Sequence, residues 1–268
     1  MDWQAARILI VGKNYPALSK TYAEVTCTGG ILEEDHRLVR LHPISSLMLE
    51  DEQRFKTFQW IRARIRKSPD DSRPETYRVD LPSIRVEKLI PASDMPARRQ
   101  AIEACTARFA SVEELQERQR QAGVSLGIVR PRRITGVRVR RRSEQEIADW
   151  VEKEAALRAQ GVLFADVKPR RLDPPKAEFL VSWECDVPSC AGHEMALHQW
   201  GIHQLWRKLE RDPRVEDKVE HAMRRHLDQS RHDVDLFLGN YSYRPQQFGL
   251  MQAVPLSKGS SHGPTLFD

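Results

Sequence analysis

The sequence lacks the segments that carry a chain into or across a membrane. No apolar run approaches the roughly 18 residues that a membrane-spanning helix requires. The N-terminus, Met1-Asp2-Trp3, has no basic stretch, and the apolar run that follows is only Ile8–Val11. These features do not match a secretory signal peptide. We therefore expect a cytoplasmic protein with no membrane partner.

Cysteine is also scarce, with four residues in a chain of 268. This is too few for a fold that depends on several disulfides. In a reducing compartment, two cysteines close together in sequence more often indicate metal or redox chemistry than a structural bridge. Cys185 and Cys190 are such a pair.

Common catalytic signatures are missing as well. The sequence contains no phosphate-binding Walker loop, no serine nucleophile elbow and no HExxH zinc-protease motif. Gly12 follows the first predicted strand, but no further glycines complete a dinucleotide-binding fingerprint. The sequence thus leaves open whether the protein is an enzyme.

The charge balance is only moderately basic. The chain has 43 Lys and Arg against 38 Asp and Glu, a formal net charge of +5. Hydrophobic residues make up 40%, enough for one large domain or two modest ones. Because the net charge is small for this length, the positions of the arginines matter more than their number.

The order of predicted elements indicates an α+β protein. Short strands with turn residues between them fill the first ninety residues, which is typical of a small barrel or curved sheet. A helical insertion follows, and then a C-terminal α/β half with a metal-clipped junction between a strand and a helix. We predict a β-rich, nucleic-acid-binding module over 1–142, an α/β module with a Cys/His zinc site over 143–256, and a disordered tail over 257–268.

Potential metal ligands cluster tightly in one stretch. Cys185, Cys190 and His193 lie within nine residues, after a predicted strand and at the predicted start of a helix. Two thiolates and an imidazole are ligands that structural zinc prefers. His198 is the predicted fourth ligand, although its helix face also suits a packed core histidine. The alternatives are two unpaired thiols with a surface histidine, or a redox-active dithiol.

Arginines alternate with apolar residues on two predicted strands. The predicted nucleic-acid-binding residues are Arg62, Arg64, Arg66, Arg132, Arg133, Arg138 and Arg140. Rows of guanidinium groups suit phosphates, which accept paired hydrogen bonds from arginine. The alternative is an ordinary solvated face, on which acids such as Glu24, Glu75 or Glu87 neutralise the arginines across the sheet.

The evidence for catalysis is confined to a few residues. Arg225 and His232 have a spacing that resembles the Arg-x4-6-His motif of HEPN-type ribonucleases. That resemblance implies an all-helical bundle and metal-independent cleavage of RNA, whereas His232 precedes a predicted strand here. His193 and His203 are further candidates for such an enzyme.

The leading functional hypothesis is a nucleic-acid-binding protein with a structural zinc ion. One alternative is a nuclease that uses the histidines and Arg225. Another is a non-catalytic subunit whose arginine rows bind an acidic protein partner. The sequence does not distinguish DNA from RNA.

Overall fold

A computed structural model describes residues 2–19, 23–44, 49–159 and 172–258. The protein contains both helices and strands and belongs to the α+β class, as predicted. Within the described residues, no helix has the length and apolarity that a membrane crossing needs. The predicted tail lies outside the described residues from 259 onwards, while Ser257 and Lys258 are described.

The N-terminal part is made of strands. They are β1 (Gln4–Lys13), β2 (Ala17–Ser19), β3 (Ala23–Leu32), β4 (Leu38–Ile44), β5 (Gln59–Lys67), β6 (Thr76–Val79) and β7 (Arg85–Leu89). Five of them form a closed barrel in the order β1-β3-β4-β6-β5, because β5 pairs back onto β1. The β4–β6 pair is parallel and the other barrel pairs are antiparallel.

The alternating sequence of β5 explains why this sheet closes around a core. Ile61, Ala63 and Ile65 are buried, while Arg62 and Arg64 between them are exposed. Successive strand residues point to opposite faces, so one face of each strand fills the barrel interior. The predicted small barrel is therefore confirmed.

Helices and short strands connect this barrel to the rest of the chain. They are α1 (Met95–Glu103), β8 (Arg108–Phe109), α2 (Val112–Ala122), β9 (Leu126–Val129), β10 (Arg133–Arg141) and α3 (Glu144–Ala159). The Ser111 side chain accepts a hydrogen bond from the Glu114 backbone N–H at 3.1 Å, which caps the start of α2. Gly123 ends α2 with a φ of 69°, a left-handed conformation that favours glycine.

The C-terminal part has the elements β11 (Ala177–Glu184), β12 (His193–Ala196), α4 (Trp200–Leu209), α5 (Val215–His226), β13 (His232–Tyr241) and β14 (Arg244–Ser257). β10 pairs with β11 and β11 with β12, and separately β14 pairs with β13 and β13 with β9. A parallel bridge between Leu197 and Leu250 links the two groups of strands.

The strand pairs of the C-terminal part repeat the connectivity of the N-terminal barrel. If β9 and β10 count as one bent strand, the C-terminal part has five strands: β9/β10, β11, β12, β13 and β14. In both parts each strand then neighbours the next in the order first, second, third, fifth, fourth and back to first. The link between the third and fifth strands is parallel in both parts. β9 and β10, which the predicted division places in the first module, pair with β13 and β11. That division at residue 142 stays a prediction.

A shared core joins the two parts. Leu9, Ile31 and Leu38 of the N-terminal barrel cluster with Phe237 and Met251 of the C-terminal part. Arg40 crosses the same boundary, where it is 1% exposed and donates to the Ser125 side chain at 2.9 Å and to its carbonyl at 3.0 Å. The two parts thus pack through a continuous buried surface.

Two local features differ from the sequence-based expectations. A helix was expected directly after His193, but His193–Ala196 forms β12 and the helix begins only at Trp200. A Gly-Gly pair such as Gly29-Gly30 favours a break or bulge in its own strand. Both residues instead lie inside β3, and the register shift opposite them is in β1, between Ile10 and Gly12. Only glycine fits at position 30, because a Cβ there would collide with Ile8 Cγ2.

Candidate metal centre and ligand cleft

Four potential metal ligands meet where α2 approaches the turn between β11 and β12. Glu113, Cys185, Cys190 and His193 each place one ligand atom within 4.8 Å of the other three. The Cys190 Sγ lies 3.4 Å from His193 Nε2, and His193 Nε2 lies 3.3 Å from Glu113 Oε1. Three of these residues were predicted from the sequence, and Glu113 was not.

These distances fit one tetrahedral zinc ion. Bonds of about 2.3 Å to sulfur and about 2.0 to 2.1 Å to nitrogen or oxygen give edges of about 3.5 Å and 3.4 Å between the donor atoms. The two measured distances, 3.4 Å and 3.3 Å, are close to those edges. Two thiols, an imidazole and a carboxylate could therefore hold a zinc ion.

Two backbone N–H groups point toward the Cys190 sulfur. The N–H groups of Cys185 and Gly192 point to its Sγ at 3.2 Å and 3.4 Å. Gly192 has a φ of 92°, which L side chains rarely adopt, and this conformation turns its N–H toward the sulfur. Hydrogen bonds of this kind to a metal ligand orient it and tune its charge.

Burial keeps one of the thiols protonated while no cation is bound. The pKa of Cys185 is raised to about 11, first by burial and then by the neighbouring Cys190. A zinc ion would displace that proton, because the metal binds the thiolate form. The Cys185 thiol is therefore protonated, and not a reactive thiolate, near pH 7.

Glu113 comes from the first turn of α2, where a carboxylate also interacts favourably with the helix dipole. His198 does not join the cluster. Its Nε2 lies 3.1 Å from the Tyr241 hydroxyl, and burial lowers the pKa of His198. The fourth potential ligand of the cluster is therefore Glu113 and not His198.

The predicted arginine rows lie on β5 and β10, which belong to different sheets and do not pair with each other. Among the described residues, all but one of these arginines form an ion pair: Arg62 with Glu87, Arg64 with Asp80, Arg132 and Arg133 with Glu184, Arg138 with Glu194, and Arg140 with Glu146 and Glu178. Arg66 lies over the Trp3 ring at 4.7 Å. Glu75, one of the expected neutralising acids, instead accepts from Ser125, and the Glu24 side chain lies outside the described residues.

The predicted catalytic residues are placed separately. Arg225 is exposed on the last turn of α5, whereas His232 begins strand β13 and contacts Ser257 Oγ at 3.4 Å. Within the described ranges, no hydrogen bond or ion pair links Arg225 to His232. The helical-bundle setting implied by the ribonuclease resemblance is not present at His232. His203 is buried between the Tyr15 and Phe179 rings.

A second feature is a cleft of about 560 Å³ between the two parts of the protein. The loop from β5 to β6 supplies Asp71 and Arg73, and β4 supplies His42. The hairpin of β13 and β14 supplies Asn240 and Tyr241 on the other side. These loops are equivalent, since each connects the fourth and fifth strands of its part.

The tip of that hairpin carries an unusually exposed aromatic side chain. Tyr243 is 75% exposed, and its ring centre lies 5.7 Å from that of Tyr241. The Arg244 guanidinium lies 5.8 Å from the centre of the Tyr243 ring. The sequence did not single out these side chains as candidate binding residues. Aromatic and basic residues at a two-residue turn were the available signal.

Comparisons with known proteins give families but no activity. No curated protein matches the chain. A family model described as Domain of unknown function (DUF8758) matches residues 4–104. A second, described as Domain of unknown function (DUF8757), matches residues 108–261, more than half of the 268 residues. The chain therefore belongs to the family defined by the domain of unknown function DUF8757.

Proposed function

We propose that the protein binds single-stranded nucleic acid in the cleft between its two parts, and that a zinc ion stabilises the C-terminal part. The observation that carries this proposal is the convergence of two equivalent strand-connecting loops on one cleft. The chemistry of those loops and the connectivity of the strands support it.

The connectivity is that of oligonucleotide- and oligosaccharide-binding barrels. In such five-stranded barrels, the loop between the fourth and fifth strands is one of the elements that contact the ligand. Here the N-terminal barrel contributes residues 68–75 as that loop, and the C-terminal part contributes the tip of the β13–β14 hairpin. Both loops line the same cleft.

The exposed hairpin tip suits a single strand. A tyrosine that is 75% exposed loses little by being covered, and every nucleobase has a face that can stack on it. Arg244 beside the Tyr243 ring supplies a positive charge for the neighbouring phosphate. Bases in a duplex are stacked on one another, so we expect single strands to bind more tightly than duplexes.

The zinc ion would have a structural role. It would link the first turn of α2 to the β11–β12 turn, with all four positions filled by protein ligands. Side chains of α2 also support the hairpin, since Gln116 Nε2 donates to the Gln246 carbonyl at 3.0 Å and Gln119 contacts the Gln246 side chain. Zinc would thus support one wall of the cleft.

The arginine rows are less suited to be the main contact surface. A phosphate approaching Arg64 or Arg138 would also approach Asp80 or Glu194, and the repulsion offsets part of the attraction. Their contribution to binding stays a prediction, and the experiment below separates it from that of the cleft.

The test is a titration of fluorescently labelled single strands of DNA and of RNA, read by anisotropy. Tyr243→Ala should weaken binding by about 1 to 3 kcal/mol, roughly 5- to 150-fold, because it removes one stacking platform. Tyr243→Phe is the matched control, since it keeps the ring, and its affinity should stay close to that of the unaltered protein.

Arg138→Ala distinguishes the cleft from the arginine rows. We expect it to change affinity less than twofold, because Glu194 already partners this guanidinium. A loss of binding in Arg138→Ala with none in Tyr243→Ala would instead place the strand on the rows. An absence of salt-sensitive binding to any polynucleotide would overturn the proposed function and favour an acidic protein partner.

A further inference from the structure

Asn240, a residue of the cleft wall, carries an unsatisfied hydrogen-bond acceptor. Asn240 is 5% exposed, and its Oδ1 has no hydrogen-bond partner among the described residues. Its other polar groups are used: Nδ2 donates to the Pro245 carbonyl at 2.9 Å, the backbone N–H donates to Ser125 O at 3.0 Å, and the carbonyl accepts from Arg73 at 3.0 Å. A buried acceptor without a donor costs free energy, which a ligand donor would recover.

The charged groups around Asn240 balance one another. Arg73 donates through Nε and Nη2 to Asp71, and Arg78 pairs with Asp70. Two positive and two negative side chains give this part of the cleft no net preference for a phosphate. An uncharged ring with hydrogen-bonding groups suits it better.

Two further side chains give the cleft the character of a base-binding pocket. Asp71 and the Asn240 carbonyl hold the Arg73 guanidinium in one orientation. A planar guanidinium group can stack on a base. His42 lines the same cleft, and its Nδ1 has no partner among the described residues. Burial, followed by the nearby Arg73, lowers the pKa of His42 to about 4, so the ring is neutral near pH 7.

We propose that this cleft takes one unstacked base of the bound strand, and that an amino group of the base donates to Asn240 Oδ1. This inference rests on the nucleic-acid binding proposed above and adds a preference within it. Adenine, cytosine and guanine carry an exocyclic amino group, whereas thymine and uracil do not. The cleft volume of about 560 Å³ accommodates one nucleotide. Tyr243 at the hairpin tip would then stack on an adjacent base.

The test compares two strands that differ by one amino group. Both are oligothymidylates of about 15 nucleotides, within the range that one such barrel covers. One carries a single central adenine, and the other carries unsubstituted purine at that position. The unaltered protein should bind the adenine strand roughly three- to tenfold more tightly, the effect of one hydrogen bond to a buried acceptor.

Two variants assign that preference to Asn240. Asn240→Leu removes the acceptor and should abolish the difference between the two strands. Asn240→Asp keeps an acceptor oxygen and should preserve it, although both variants lose the hydrogen bond to Pro245. Thermal unfolding shows whether each variant folds, and the comparison in the unaltered protein does not depend on either.

The outcomes separate this inference from the function on which it rests. Equal affinity of the unaltered protein for the adenine and purine strands would overturn the base subsite and leave strand binding intact. A preference that persists in Asn240→Leu would also overturn it. If neither strand binds, both the subsite and the proposed function fail.

Discussion

Removing one ligand of the proposed zinc site should change the metal content and the stability separately, because the four ligands come from two distant segments. Cys185, Cys190 and His193 lie within nine residues of one another, while Glu113 comes from α2. A metal held by all four closes a loop of about 70 residues, and the chain-entropy relation for such a cross-link gives about 4 kcal/mol. Glu113→Gln should keep most of the metal but lose part of this stabilisation. Cys190→Ser should lose both the metal and all of this stabilisation.

The assay combines elemental analysis with thermal unfolding under reducing conditions. We expect about one zinc per chain in the unaltered protein. For a chain of this size, about 4 kcal/mol corresponds to a fall in Tm of about 10 °C in Cys190→Ser, since 1 kcal/mol shifts Tm by about 2 to 4 °C. A chelator should produce a similar fall in the unaltered protein and a smaller further change in Cys190→Ser.

Cys27→Ser provides the control. Cys27 is a free thiol of the barrel and not part of the metal cluster, so its replacement should leave the zinc content unchanged. The proposed zinc site fails this test if the purified protein holds no metal and neither the chelator nor Cys190→Ser lowers its Tm. It also fails if Cys27→Ser and Cys190→Ser lose equal amounts of zinc.

Three further outcomes follow from buried groups. Zinc affinity should rise at least tenfold per pH unit between about pH 6 and 8, as measured with a competing chelator, since Cys185 must lose a proton to bind the metal. Burial lowers the pKa of His203 to about 3, so its contribution to stability is present above the unfolded value near 6.5 and is lost as the pH falls toward 3. His203→Phe keeps the ring beside Tyr15, and urea unfolding should show a weaker dependence on pH across that window; an unchanged dependence would refute this. Arg40→Lys should lower the free energy of unfolding by about 2 kcal/mol, because one ammonium cannot replace both hydrogen bonds to Ser125, and an unchanged urea midpoint would count against that.

The sequence was most informative where side chains alternate or cap. The alternation in β5 predicted a strand with a buried apolar face, and the Ser-x-x-Glu pattern from Ser111 to Glu114 is typical of a helix start. Both are observed, because strand burial and helix capping depend on residues that are near in sequence. Cys185, Cys190 and His193 were predicted together for the same reason.

Features that depend on distant residues could not be predicted in this way. Glu113 lies about 70 residues from Cys185, and a carboxylate in the first turn of a helix has an ordinary explanation in helix capping. The barrel closes through the pairing of β1 with β5, which the local pattern does not specify. The ion pairs of Arg132 and Arg133 with Glu184 depend on the pairing of β10 with β11. Two arginines of the basic stretch therefore share one carboxylate in the fold.

The convergence of the two loops on the cleft is a further consequence of tertiary packing. Arg73 and Asn240 are 167 positions apart, yet the Arg73 Nη1 donates to the Asn240 carbonyl at 3.0 Å. No motif connects them, and the shared core of the two parts brings them together. The proposed binding site is thus a property of the two packed parts together and not of either part alone.

Photo-crosslinking tests binding in the cleft most directly, because it locates the bound strand on the protein. A single-stranded RNA containing 4-thiouridine would be irradiated with the protein, digested and mapped by mass spectrometry. We predict crosslinks in the loop at residues 68–75 and at the hairpin tip around Tyr243, which weaken in Tyr243→Ala. Crosslinks concentrated on β5 and β10, with the hairpin and the loop unmodified, would contradict binding in the cleft.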